Sequence, residues 1–316
     1  MSSLTWCQAK SRNVAVLDDP ELAPYQDEPR QMASGAEGKC GVLQMAFEKR
    51  GNRSILSQLY RQTPLLVQQA LYWDEALPEL PCVYIVTTSG CVLQGDRFDI
   101  SINLAASAMA HITTQSATKI HTMDANYAAQ TQQIVLGDNA YLEYLPGPTI
   151  PHKHSRFITH THVTLESSAT FLYSEILMPG RTHHGDGEVF QYDLYSSTLS
   201  AERPGGQALF TEKFVIKPWA EAVGAVGVMG RYHVLGNVML VTPKENADRI
   251  FEQITPETTT GLPCVASVGR LPNDAGLVYK ILGTSSQHVQ AKVRHFWQVT
   301  RRQVLAVSIP PVPLWG

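Results

Sequence analysis

Three short segments in the middle of the chain share one pattern: Ile102 and Leu104 with Ala108, Ile134 and Leu136 with Ala140, and Val163 and Leu165 with Ala169. Each places two apolar residues two apart and an alanine four positions later. A spacing of two puts both apolar side chains on one face of an extended strand. The residues between, Ala105-Ala106-Ser107, Gly137-Asp138-Asn139 and Glu166-Ser167-Ser168, are small or polar, as a tight turn requires. The unit is therefore a strand, a turn and a strand. The leucines of successive copies lie 32 and 29 residues apart, a period at which supersecondary units stack. The expected fold is mainly β: a layered or β-helical body of stacked strands with a few helices.

The flanks refine this picture. Residues 1–38 hold Asp18-Asp19-Pro20, Pro24, Pro29 and Gly35 with few regularly spaced apolar positions, and are expected to form a flexible extension. Residues 39–316 are expected to form one β-rich domain, beginning with alternating runs such as Val42-Leu43-Gln44-Met45-Ala46-Phe47. Helices are expected late: a short one around Lys244 to Phe251, and a clearer one after Ser285-Ser286. In the latter Val289, Val293, Phe296, Trp297, Thr300 and Val304 recur at helical spacing, which makes Trp297 a core anchor. Gln290, Lys292, Arg294, Arg301 and Arg302 are read as the polar face. Pro310-Pro311-Val312-Pro313 cannot continue a helix.

Composition narrows the function classes. A net charge of −3 without a basic stripe argues against a nucleic-acid partner. The most apolar stretch, Ala222 to Val241, is broken by Arg231-Tyr232-His233, so no membrane association is expected. The first residues lack the basic and apolar order of a secretory signal, and a cytoplasmic location follows. Cys7, Cys40, Cys82, Cys91 and Cys264 are scattered, suggesting neither a disulfide framework nor a thiolate zinc site. Hydrolase, phosphate-loop and His-Glu-x-x-His signatures are missing from the sequence.

What remains is rich in histidine. Six of the 11 histidines fall between His152 and His184: His152, His154, His160, His162, His183 and His184. On a strand His160 and His162 share a face, as do His152 and His154 if that segment is extended. Imidazole suits nickel, copper and zinc, and Asp186 or Glu188 would add oxygen ligands. Three readings stay open: a transient metal-handling surface, a solvated polar strand face, and a metal-dependent β-barrel enzyme of the cupin sort.

Several motifs occur in one order: Gly95-Asp96-Arg97, Thr113 to Lys119, Leu142-Glu143-Tyr144-Leu145-Pro146, Gly180-Arg181, Gly187-Glu188 and Arg294-His295-Phe296-Trp297. In this the chain, from about Gly41 to about Leu305, resembles the UreD/UreH family of urease accessory proteins. It departs from the family at Ser89 to Gln94, where a Gly-rich approach is common, and at Phe98. The resemblance implies a non-catalytic β-helical scaffold acting with UreF and the GTPase UreG on the urease apoprotein to assist nickel insertion. It implies no tightly bound cofactor, only transient nickel in a polar internal passage. Asp96, Glu143, Glu175 and Glu188 are the residues expected to line such a passage. Arg97 and Arg181 are expected to orient carboxylates through bidentate ion pairs.

Overall fold

The computed structural model describes residues 18–27, 38–259 and 261–311. A hairpin of β1 (Cys40–Arg50) and β2 (Arg53–Gln62) leads through β3 (Leu65–Leu66) to β4 (Cys82–Thr87). The three copies of the repeat follow. The first is β5 (Arg97–Leu104) and β6 (Met109–Thr114), trailed by a short β7 (Thr118–Ile120). The second is β8 (Ala128–Leu136) and β9 (Tyr141–Tyr144), trailed by β10 (Thr149–Pro151). The third is β11 (Arg156–Leu165) and β12 (Thr170–Leu177). The chain closes with the hairpin β13 (Leu194–Arg203) and β14 (Gln207–Ile216), then β15 (Val234–Val241), α1 (Lys244–Gln253), β16 (Cys264–Arg270), β17 (Gly276–Gly283) and α2 (Ser286–Leu305).

These strands form two facing sheets. One runs β14-β13-β11-β8-β5-β1-β2; the other runs β16-β17-β15-β12-β9-β6-β4-β3, with β10 beside β12 and β7. Each repeat thus sends its first strand to one sheet and its second to the other, the layered form expected from the sequence.

Parallel register stacks the repeat residues into rungs. Leu104, Leu136 and Leu165 are neighbours across β5, β8 and β11, and Ile102, Ile134 and Val163 form the next rung, which Ala201 of β13 extends. All seven are buried against side chains of the opposite sheet. The turns stack equally tightly. A Cβ on Gly137 would come within 2.8 Å of the Ala106 backbone nitrogen, which excludes any side chain there. Asn139 turns the chain at φ 54°, a conformation asparagine tolerates better than most residues.

On its outer side the second sheet is covered by α2. Val289, Val293, Phe296, Trp297 and Thr300 are buried against Val234, Val238, Leu240, Tyr279 and Ile281, so Trp297 is the core anchor its spacing suggested. Arg301 departs from the expected polar face: it is 1% exposed. The helix stops where Ala306 adopts a left-handed conformation at φ 57°.

Residues 18–27 differ from the expected flexible extension. Pro20–Tyr25 forms a 3-10 turn whose Leu22 is fully buried with Tyr127, Ala129, Ile158 and Leu194 on the outer face of the first sheet. Glu21 accepts a hydrogen bond from Ser196 Oγ at 2.6 Å and pairs with Lys213 at 2.8 Å; Asp19 pairs with Lys213 at 2.7 Å. One leucine and three charge-assisted contacts supply what the composition lacks. The remainder of 1–38 below Gly38 lies outside the described residues.

The rung geometry makes a direct prediction. Ile134 is 1% exposed and its neighbour Val135, on the opposite face of β8, is 45% exposed. Ile134→Ala should cost about 2–5 kcal/mol in a urea melt, whereas Val135→Ala should stay within about 0.5 kcal/mol.

Candidate functional site: a polar cavity between the sheets

Moving away from the turns, the interior rungs change character. Ile100, Gln132, Thr161 and Leu199 form the third rung, and Phe98, Gln130, Thr159 and Ser197 the fourth. From the facing sheet come Tyr144, Tyr173 and Glu175, which share the inward face of β9 and β12 because strand residues alternate sides. Polar groups here prevent the dry interlock seen among the leucines. A cavity of about 60 Å³ remains, its polar wall formed by Gln130, Gln132, Tyr144, Thr159, Glu175 and Tyr195 and its apolar wall by residues such as Ile85, Val92, Phe98, Ile100 and Phe157. Since one water needs about 10–15 Å³ by such a measure, it holds several. A second space of similar size shares Ile85, Thr87, Val92, Thr114 and Thr118 with it and extends to Gly90, Cys91 and Lys119.

The cavity wall is only partly self-satisfied. Tyr144 donates to Gln132 Oε1 at 2.6 Å and Gln132 Nε2 donates to Thr161 Oγ1 at 2.7 Å, while the buried Thr159 hydroxyl has no partner. Glu175 accepts from the Tyr195 hydroxyl at 2.6 Å and from Ser197 Oγ at 3.0 Å. Burial pushes its carboxyl above the usual range, outweighing those two hydrogen bonds. Across β15 and β17, Asn237 and Lys280 stand in register with Glu175. Asn237 donates to Glu212 at 2.8 Å, and Lys280, which pairs with Glu212, is partly exposed. A polar line therefore runs from the cavity across β15 to β17.

Glu143 faces the other way. It shares the outward side of its sheet with His111, its neighbour in register, and points at α2 instead of into the cavity. There Arg301 grips it with two hydrogen bonds, Nε to Oε1 and Nη2 to Oε2, both 2.8 Å, and donates a third to Asp74. His111 Nδ1 lies 2.8 Å from Oε2, and the Tyr141 hydroxyl donates to Oε1 at 2.7 Å. His111 stacks on Trp297 at 5.3 Å, and the Arg301 guanidinium sits 5.0 Å from the same indole. Burial alone would raise the Glu143 pKa, but the Arg301 charge, then His111, hold it well below the carboxylate range. This is a buried ion-pair network in which both Glu143 oxygens are taken by Arg301, His111 and Tyr141, while His111 Nε2 has no partner among the described residues. The sequence offered one sign of it: Arg301 lies four residues beyond Trp297 and eight beyond Val293, on their stripe.

The other expected residues take separate places. Asp96 is fully buried and caps a turn, accepting from the backbone of Leu93 at 2.8 Å and Lys39 at 3.0 Å. Arg97 turns away to the Tyr127 carbonyl at 2.6 Å and Asn126 Oδ1 at 3.0 Å, over the Tyr127 ring. Arg181 and Glu188 form a bidentate pair, with Nε to Oε2 at 2.8 Å, and Glu188 also accepts from the Lys153 backbone at 3.1 Å. That hydrogen bond from Arg181, followed by opposing burial, leaves Glu188 below its usual pKa.

The histidines are dispersed. His160 and His162 share the outer face of β11 as expected, but His160 meets Asp19 at 2.9 Å while His162 meets Ser200 and Glu202. His154 pairs with Asp193 at 3.0 Å and stacks on Trp219. His183 and His184 lie exposed in the 182–186 turn, and His152 is buried. Among the described residues no group of three or more His, Cys, Asp or Glu is arranged to hold a metal ion.

Comparison with known proteins adds an independent observation. Residues 39–316 match the family model described as UreD urease accessory protein. A urease accessory protein UreD 2 of Brucella canis is 52% identical over 296 residues, 94% of this chain and 98% of its own. Urease accessory proteins UreD of Photorhabdus laumondii and Yersinia pseudotuberculosis are 48% and 50% identical, covering 98% and 95% of this chain and 96% and 93% of their own lengths.

The Glu143 network also makes a prediction. A carboxyl depressed on folding contributes stability that is fully present above the unfolded value of about 4.3 and is lost as pH falls through the folded one. Glu143→Gln should lower the urea midpoint at pH 7 and flatten the decline in stability below about pH 4.3. Arg301→Ala should cost about 3–5 kcal/mol by stranding buried carboxylates.

Proposed function

We propose, from the membership of this chain in the UreD family of urease accessory proteins, that it is a non-catalytic cytoplasmic scaffold. In this reading it acts with UreF and the GTPase UreG on apo-urease and assists nickel insertion. The sequence carries no phosphate loop of its own, so the nucleotide switch belongs to a partner.

The observation that carries the nickel role is Glu175: one ionisable carboxyl, raised in pKa, on the wall of a cavity between two sheets large enough for several waters. Burial favours the protonated form of this carboxyl, and a divalent cation arriving beside it would favour the ionised form. Oxygen ligands bind nickel more loosely than thiolate or imidazole sets, which suits transfer over storage. Gln130, Gln132 and Thr159 supply neutral oxygens on the same wall. Of the four carboxylates expected along a passage, Glu175 is the one with this setting. Glu188 lies toward the β7 and β10 edge, tied to Arg181. Asp96 and Glu143 act in the proposal as parts of the frame.

Glu175→Gln separates transfer from assembly, because it keeps the shape and one of the two acceptor oxygens, while the Ser197 hydroxyl can rotate to accept from the new amide. Soluble yield and co-purification with UreF should match the wild type. Urease nickel content should fall about 10-fold or more, the scale on which loss of a metal-orienting group is felt. Normal nickel content in urease matured with Glu175→Gln would overturn the assignment. Glu143→Gln should instead show its defect first as a lower melting temperature.

A further inference from the structure

The edge formed by β7 and β10 brings together two histidines that lie 31 residues apart in the chain. Thr118, Lys119 and Ile120 pair in parallel with Thr149, Ile150 and Pro151, so the next residues, His121 and His152, continue the register side by side. The two backbones are tied there: His152 N–H donates to the Ile120 carbonyl and His121 N–H to the Val92 carbonyl, both at 2.9 Å. Their ring centroids are 5.6 Å apart with the planes at 55°.

We infer that His121 and His152 form a two-imidazole site for a borderline divalent cation such as nickel, beside the space that borders the Glu175 cavity. With metal–nitrogen bonds of about 2.0–2.1 Å, two imidazoles sharing one ion have centroids roughly 4.5–5.5 Å apart for bond angles of about 90–120°. The observed pair, at 5.6 Å, lies just beyond that span, and a small rotation of exposed His121 would bring it within.

The donor chemistry fits. His121 Nδ1 lies 3.0 Å from the Thr122 carbonyl. When that nitrogen carries the proton and donates, Nε2 keeps its lone pair, the way ligating histidines are usually held. His152 is 6% exposed and its buried Nδ1 has no hydrogen-bond partner, a polar group left unmet unless something joins it. The charged and titratable groups around His152 are Arg181, His121, Glu188 and His184. Burial first, then Arg181, pulls the His152 pKa down to about 4, so this imidazole is neutral at physiological pH. The Arg181 charge that would repel a cation is engaged by Glu188. Among the described residues no third ligand converges on the pair, so water completes the shell and the ion is held loosely. Val92 and Lys119, near the pair along the chain or across the ladder, line the space that shares Ile85, Thr87, Val92, Thr114 and Thr118 with the Glu175 cavity.

The two-histidine geometry stands apart from the cavity; the choice of nickel as the ion rests on the proposed role. Calorimetric titration of the full-length chain with Ni²⁺ tests the site, with thermal melts of metal-free protein as a control on folding. His121→Ala, at an exposed position, and His152→Asn should each weaken the tightest binding step by about tenfold or more. His160→Ala and His162→Ala should leave that step unchanged. The inference is overturned if His121→Ala binds Ni²⁺ within twofold of the wild type, or if His183→Ala and His184→Ala abolish the step as strongly. Binding to the isolated chain is read separately from urease nickel content, so failure of this site leaves the Glu175 result to stand or fall alone.

Discussion

Parallel, in-register stacking commits every residue of β5, β8 and β11, and of β6, β9 and β12, to one of two faces, and the same parity holds from rung to rung. This constraint decides the interior. Leucine and isoleucine rungs near the turns lock the sheets together, and the rungs beyond them carry Gln130, Gln132, Thr159 and Thr161. It also decides which carboxylate can meet the cavity. Glu175 shares the side of Tyr173 and looks inward; Glu143 shares the side of His111 and looks outward to Arg301. Two glutamates on strands of one sheet therefore live in opposite electrostatic regimes, one pushed toward neutrality and one held ionised.

The buried Arg301 network is costly to build and stabilising chiefly because it is complete. Removing a guanidinium and its carboxylates from water is unfavourable, and three hydrogen bonds to Glu143 and Asp74 offset it only while all partners remain. Its position at the joint of α2, β9 and the loop before β4 suits a device that fixes how the helix sits. Trp297, stacked on His111 and beneath Arg301, makes the helix face and the ion pair one packed unit.

Much of this was legible in the sequence where local periodicity sets the outcome. The repeat of apolar pairs and alanines specified stacked strand-turn-strand units, and the i, i+4 stripe specified α2. Arg301 is buried against the expectation from its charge because it continues that stripe and meets Glu143 and Asp74 there. The carboxylates were grouped by motif, although Leu142-Glu143-Tyr144 already alternates in a way that sends Glu143 and Tyr144 to opposite faces. Contacts across long separations left no such trace. Glu21 finds Ser196 only because its 3-10 turn docks on the first sheet, and His121 finds His152 only because β7 pairs with β10. The histidine-rich stretch read as one cluster because it is dense in sequence, yet three of its members each meet a separate carboxylate.

Everything proposed for transfer turns on the ionisation of one carboxyl inside the cavity. The most direct measurement is the rate of nickel loading into urease, in the assembled accessory complex, as a function of pH. If Glu175 meets the ion, loading by the wild type rises with pH through an inflection above the ordinary glutamate value of about 4.3, reflecting its burial-raised pKa. The Glu175→Gln complex should load slowly and lack that inflection. Superimposable profiles for the two complexes would contradict the account.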